Sequence, residues 1–133
     1  MGRKAMPKVS SSLSRAYDLT KKAARLGFDW PDIEGVFEKM DEEMTELKNA
    51  IALQNRRKIR EELGDLLFVM VNIARFLRIN PEEALDKTIE KFLSRFHYIE
   101  TSLQKEGKLL QHATTSEMDR LWEEAKRKKR GGF

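Results

Sequence analysis

Lys39-Met40-Asp41-Glu42-Glu43-Met44-Thr45-Glu46-Leu47 and Lys58-Ile59-Arg60-Glu61-Glu62-Leu63-Gly64-Asp65-Leu66 are near copies of one pattern. Each has a lysine, a Glu pair, an acid three residues after the second Glu, and then a leucine. Residues three apart on a helix are separated by about 60° around its axis, so Glu43 projects with Glu46, and Glu62 with Asp65. The apolar positions keep the same register: Met40 with Ile59, Met44 with Leu63, Leu47 with Leu66, Ile51 with Met70. Helical projection puts each acid pair on the rim of its apolar stripe and turns Glu42 and Glu61 towards water. Two such helices packed along their stripes bring four carboxylates to one edge of the seam. Carboxylates about 5 Å apart repel by roughly 3 kcal/mol per pair at an effective dielectric near 20, so the seam calls for a cation. Ligation by oxygen alone selects a hard ion, Mg2+ with Mn2+ as a substitute. A di-iron bundle wants Glu-x-x-His pairs, and neither His97 nor His112 falls in this register.

Outward from this pair, the whole chain reads as all-α, a bundle of about five helices. A first helix is expected from Ser12 to Leu26, stopped by Gly27. Phe28-Asp29-Trp30-Pro31 is a turn, and Asp32 can cap the second helix, whose Ile33, Val36, Phe37, Met40, Met44, Leu47 and Ile51 follow a helix period. A third helix is expected from Arg56 to Leu77. Asn80-Pro81-Glu82-Glu83 offers a cap, a first-turn proline and early acids for a fourth, running to Gly107. A loop follows, and Thr115-Ser116 opens a fifth. Between Leu66 and Leu77 only Asn72 and Arg75 are polar. A helix apolar nearly all round must be covered on every side, so the core is expected to be completed by homodimerisation.

The 133 residues suit one domain, and 36% charged with 40% hydrophobic residues suits a folded, helix-rich chain. No cysteine is present, which excludes disulfides and thiolate metal sites. No apolar run reaches signal-peptide or membrane-spanning length, so a cytoplasmic location without membrane partners is expected. The net charge of +4 concentrates in Lys126-Arg127-Lys128-Lys129-Arg130, and without that run the chain is close to neutral. This reads as a solvated tail, with nucleic acid an unlikely partner. The expected organisation is an N-terminal extension at 1–11, a helical domain at 12–127 and a basic tail at 128–133.

Glu42-Glu43-x-x-Glu46 followed by Glu62-Leu63-Gly64-Asp65-Leu66-Leu67-Phe68 resembles the signature of MazG-type nucleoside triphosphate pyrophosphohydrolases. Lys22 to Pro31 resembles that family's lead-in to the metal helix. Val71-Asn72-Ile73-Ala74-Arg75 and Lys91-Phe92-x-x-Arg95-Phe96 resemble its later segments. The similarity runs from about Leu13 to Lys126 and is greatest to the second, catalytic domain of two-domain MazG proteins. It implies an all-α enzyme that splits a nucleoside triphosphate into monophosphate and pyrophosphate with Mg2+, by metal-activated water attack on phosphorus.

By the same resemblance, Glu43, Glu46, Glu62 and Asp65 are metal ligands and Lys58 is an active-site lysine. Lys91 and Arg95 meet the triphosphate, and Trp122 and Lys126 lie near the nucleotide. Ile89 departs from the polar residue expected at its position. Spacing alone leaves other roles open: Lys91 and Arg95 as partners of Asp86, Glu90 or Glu100, and Trp122 as core. Two further readings compete with the enzyme, a non-catalytic dimeric helical interaction module and a basic-tailed nucleic-acid binder. The identical phase of the two acid pairs favours the enzyme, because a scaffold has no reason to repeat it.

Overall fold

The computed structural model describes residues 11–132, with side chains from 11 to 128, and among these it is all-α. Its helices are α1 (Ser12–Arg25), α2 (Ile33–Ala52), α3 (Arg56–Phe76), α4 (Pro81–Lys105) and α5 (Thr115–Gly132), with a 3-10 turn at Leu110–His112. The expected N-terminal extension lies, apart from Ser11, outside the described residues. So do the tail side chains from 129 onward.

Local chemistry fixes the helix ends. Ser11, Asp32 and Asn55 each accept a backbone N–H from three residues ahead, and Asn80 accepts from Glu82 and Glu83. Thr114 and Glu117 form a reciprocal pair at the start of α5: Glu117 N–H donates to Thr114 Oγ1 at 3.1 Å, and Thr114 N–H to Glu117 Oε1 at 2.9 Å. The end of α1 closes with Phe28 N–H on the Ala23 carbonyl and Gly27 N–H on that of Ala24. Gly27 takes the left-handed conformation this ending needs, with φ of 98°.

The described chain divides into two compact units, one ending at Ala84 and one beginning at Leu85. In the first, α2 packs along α3, and α1 lies against α3. Its buried apolar residues are Val36, Ala50, Leu66, Val69 and Val71. On each long helix an apolar stripe stays open: Phe37, Met44 and Ile51 on α2, and Leu63, Leu67 and Met70 on α3. The second unit closes on Ile99, Leu103 and Leu121, flanked by Tyr98, Leu110, Met118 and Trp122. Among the described residues no helix is long and apolar enough to cross a membrane.

One polar link ties the turn before α2 to the far end of α3. Arg75 donates from Nη1 to Asp29 Oδ2 at 2.9 Å and from Nη2 to Asp29 Oδ1 at 2.6 Å. The guanidinium holds the Asp29 carboxyl below its usual 3.8. A carboxylate whose folded pKa is depressed contributes stability that is complete above the unfolded pKa and lost as pH falls through the folded one. Arg75→Leu should therefore destabilise at neutral pH by about 2 kcal/mol. The gap to wild type should shrink below pH 3.8 as Asp29 protonates. Urea melts of both proteins across acid pH check this, and a gap that stays constant refutes it.

Candidate metal centre and active site

Packing α2 on α3 brings the two acid motifs face to face. Carboxylate oxygens of Glu43, Glu62 and Asp65 lie within 4.8 Å of one another, and so do those of Glu42, Glu43 and Glu46. Glu43 belongs to both groups and joins them. Glu43 and Glu62 are buried, whereas Glu42 and Glu61 stay more than half exposed. Glu42 and Glu61 thus face water as read from the repeat, but the seam runs nearer the acids than expected: Glu43 and Glu62 are buried, while Met44, Ile51, Leu63 and Met70 of the stripes stay exposed. Glu42 nonetheless remains close enough to its own helix's acids to share a cation with them.

Two lysines mirror each other across this cluster. Lys39 Nζ lies 2.8 Å from Glu42 Oε1 and 3.3 Å from Glu43 Oε1. Lys58 Nζ lies 3.5 Å from Glu61 Oε1 and 3.5 Å from Glu62 Oε1. The neighbouring carboxylates hold both ammonium groups above the ordinary lysine pKa, led by Glu42 for Lys39 and by Glu61 for Lys58. Burial pushes the Glu43 carboxyl above its usual value. Lys39 opposes that shift, and Glu62 and Asp65 add to it.

The lysines engage only one oxygen of each buried acid. Glu43 Oε2 and Glu62 Oε2 are both buried without a hydrogen-bond partner. A buried, unpartnered carboxylate oxygen is costly, and native structures rarely leave one without a reason. A divalent cation held among these acids would offset that cost. The donor set is all oxygen, drawn from at least three carboxylates, which fits a hard metal ion. These residues fit such a group.

In the second unit, the Arg95 guanidinium lies 5.1 Å from the Trp122 ring centroid. Phe92 stands 5.8 Å from Phe96 and 5.7 Å from Trp122. Arg95 Nε is buried without a partner. Among the described residues no ion pair joins Lys91 or Arg95 to Asp86, Glu90 or Glu100. Trp122 is half-buried against the Ile99–Leu103–Leu121 core, so the packing role left open by spacing is part of what it does. Lys126 reaches Glu123 at 3.8 Å and is otherwise open to solvent.

Sequence reasoning left Lys39 without a role, although its place in the repeat matched that of Lys58. It also missed the Asp29–Arg75 link. The signal available for that link was the lone polar pair Asn72 and Arg75 on an apolar helix.

The described chain thus brings two Glu-x-x-acid motifs together across two packed helices, a donor set suited to a hard divalent ion. Residues 32–99 match the MazG nucleotide pyrophosphohydrolase domain, and the chain belongs to that family. It is 44% identical over 115 residues to the nucleoside triphosphate pyrophosphohydrolase/pyrophosphatase MazG of Thermotoga maritima, an alignment covering 86% of this chain and 44% of that protein. It is 36% identical over 126 residues to the nucleoside triphosphate pyrophosphohydrolase of Escherichia coli K12, covering 92% of this chain and 47% of that one. The chain thus spans less than half the length of these two relatives.

Proposed function

We propose that this chain is a Mg2+-dependent nucleoside triphosphate pyrophosphohydrolase, converting a nucleoside triphosphate and water to monophosphate and pyrophosphate. One observation carries the reading: Glu43 and Glu62 keep an unpartnered buried oxygen each, in a cluster flanked by two lysines. Family membership and the printed activity of the two relatives support it. Glu43, Glu46, Glu62 and Asp65 would hold the metal, with Mn2+ as a substitute. Bound there, the ion supplies neutralisation of phosphate charge and a more acidic water.

The chain's own groups do the rest. One of the four clustered carboxylates accepts the proton of the attacking water. Lys58 on α3 and Lys39 on α2 stand beside these acids and, were Glu62 and Glu43 to hold the ion, would be placed to stabilise the leaving pyrophosphate. Lys91, Arg95, Trp122 and Lys126 are assigned to the nucleotide by their match to the family motif. The open stripes on α2 and α3 are the surfaces on which a second copy would complete the core. The proposed organisation is an extension at 1–11, a MazG-like domain at 12–127 and a basic tail at 128–133. The reading extends to a cytoplasmic enzyme.

The test is direct. The protein is incubated with Mg2+ and a panel of ribo- and deoxynucleoside triphosphates, and monophosphate, pyrophosphate and phosphate are quantified. Monophosphate and pyrophosphate in equal amounts are expected. Stepwise phosphate release through the diphosphate would overturn the assignment.

A further inference from the structure

Tyr17, Lys21 and Arg25 recur every four residues along α1, so they form one stripe of that helix. With Ala24, and with Arg75 and Arg78 at and just past the end of α3, they wall a cavity of about 570 Å3. That volume falls within the roughly 300–1,000 Å3 of small-molecule sites. Four of the lining residues are cationic and none is acidic. None of the roles above uses this cavity.

The charge in it is largely unspent. Arg75 is committed to Asp29 through both terminal nitrogens, and its Nε is buried without a partner. Lys21, Arg25 and Arg78 are exposed, and among the described residues no ion pair or hydrogen bond engages their side chains. Every Asp and Glu of the chain lies between Asp18 and Glu124, so all of its side-chain carboxylates are among the described residues. Asp29 is thus the one acid bonded to any of the four cations.

The helix dipole accounts for part of this. Basic side chains in a last turn are favourable, and Arg25 and Arg75 stand in the last turns of α1 and α3. The dipole gives no reason to gather four like charges, which repel, around one cavity. Arg78 adds a second oddity. It takes left-handed backbone, with φ of 58°, where the matching end of α1 uses Gly27. Its N–H donates to the Arg75 carbonyl at 3.0 Å, as Gly27 N–H does to that of Ala24. A side chain in this conformation costs energy that glycine avoids. Gln54 takes the same conformation at the end of α2, but Arg78 brings a fourth charge to a cavity that already has three.

We propose that this cavity binds a diphosphate anion, either free pyrophosphate or the diphosphate end of a nucleotide. The guanidinium forks of Arg25 and Arg78 suit bidentate contact with phosphate oxygens, and Lys21 adds a point charge. The Tyr17 hydroxyl, which no other side chain engages, supplies a further donor. Three uncommitted cations on two helices outnumber what a single phosphate group needs, and the volume admits two.

Calorimetric titration of the whole protein in EDTA, at constant ionic strength, compares pyrophosphate, ADP and sulfate. Without metal the Glu43 cluster repels anions, so this measurement is independent of the pyrophosphohydrolase reading. Wild type should bind pyrophosphate or ADP at least about ten-fold tighter than sulfate. The tighter of the two identifies the source, and either order supports a diphosphate site. Lys21→Gln combined with Arg25→Gln should weaken that ligand at least about ten-fold, and Arg78→Gln alone at least about five-fold. All three residues are exposed, so circular dichroism should report an intact fold, and Arg78→Gln carries the comparison if the α1 variant does not fold. Lys48→Gln combined with Lys87→Gln removes the same charge elsewhere and should leave binding unchanged. Sulfate binding as tightly as both diphosphates overturns the proposal. So does an equal loss in the Lys48 and Lys87 control, which would mark bulk charge, and so does a loss confined to Lys91→Gln with Arg95→Gln, which would place the anion in the second unit. Diphosphate binding here in a protein without turnover would keep this site and sink the pyrophosphohydrolase reading; turnover without such binding would do the reverse.

Discussion

Glu43→Gln and Glu62→Gln should each lower kcat/KM for the best nucleoside triphosphate by about three orders of magnitude, roughly 4 kcal/mol of transition-state stabilisation. Both side chains are buried with one oxygen unpartnered, and the amide removes the charge that would hold a cation there. Volume and packing barely change, so circular dichroism should report an intact fold. Glu42→Gln and Glu61→Gln are the matched controls. Each is exposed and salt-bridged to the same lysine as its buried neighbour. An exposed pair of this kind is worth under about 1 kcal/mol, so these variants should lose less than about ten-fold. The comparison is between adjacent residues of identical chemistry, differing only in helical phase. Equal losses at Glu42 and Glu43 would mean that the cluster works by bulk negative charge, and the ligand assignment would fall.

The helices and the acid cluster were legible because each is set by local chemistry. Asp32 and Asn80 announce their helices by capping, and the 3.6-residue period orders the apolar residues of α2 and α3. The repeat gives Glu43 and Glu62 the same phase on their two helices, so packing α2 on α3 treats them alike, but their burial was not legible, because the seam runs nearer the acids than the stripes. The Asp29–Arg75 link was not legible, because its partners are 46 residues apart and no periodicity connects them. The 3-10 turn at Leu110–His112 is too short to carry a pattern. Lys39 was visible as the counterpart of Lys58, but its contact with Glu43 depends on rotamers that spacing does not specify. For Arg95, several acids lay within reach along its own helix, and the structure instead places its guanidinium over Trp122. Competition of that kind is decided by tertiary packing.

Metal binding should be readable as stability even with no substrate present. Glu46 and Asp65 each share a carboxylate cluster with Glu43, and neither forms an ion pair among the described residues. Without metal they contribute mainly repulsion, and Asp65 is one of the groups that raise the Glu43 pKa. Glu46→Gln combined with Asp65→Asn relieves that repulsion and leaves both lysine pairs in place. In EDTA the double variant should therefore melt above wild type, by up to about 1 kcal/mol, or roughly 4 °C for a chain of this size. Adding Mg2+ should reverse the order. The ion binds the folded cluster and not the unfolded chain, so wild type gains about 2.7 kcal/mol at a hundred times its dissociation constant. The double variant lacks two of the four proposed ligands and should gain little. Four melts at constant ionic strength, each protein with EDTA and with Mg2+, test both halves of the claim. A crossing of the two stabilities is the expected result. If Mg2+ raises both proteins equally, the cation acts as general salt, and the carboxylates form a solvated rim rather than a metal centre.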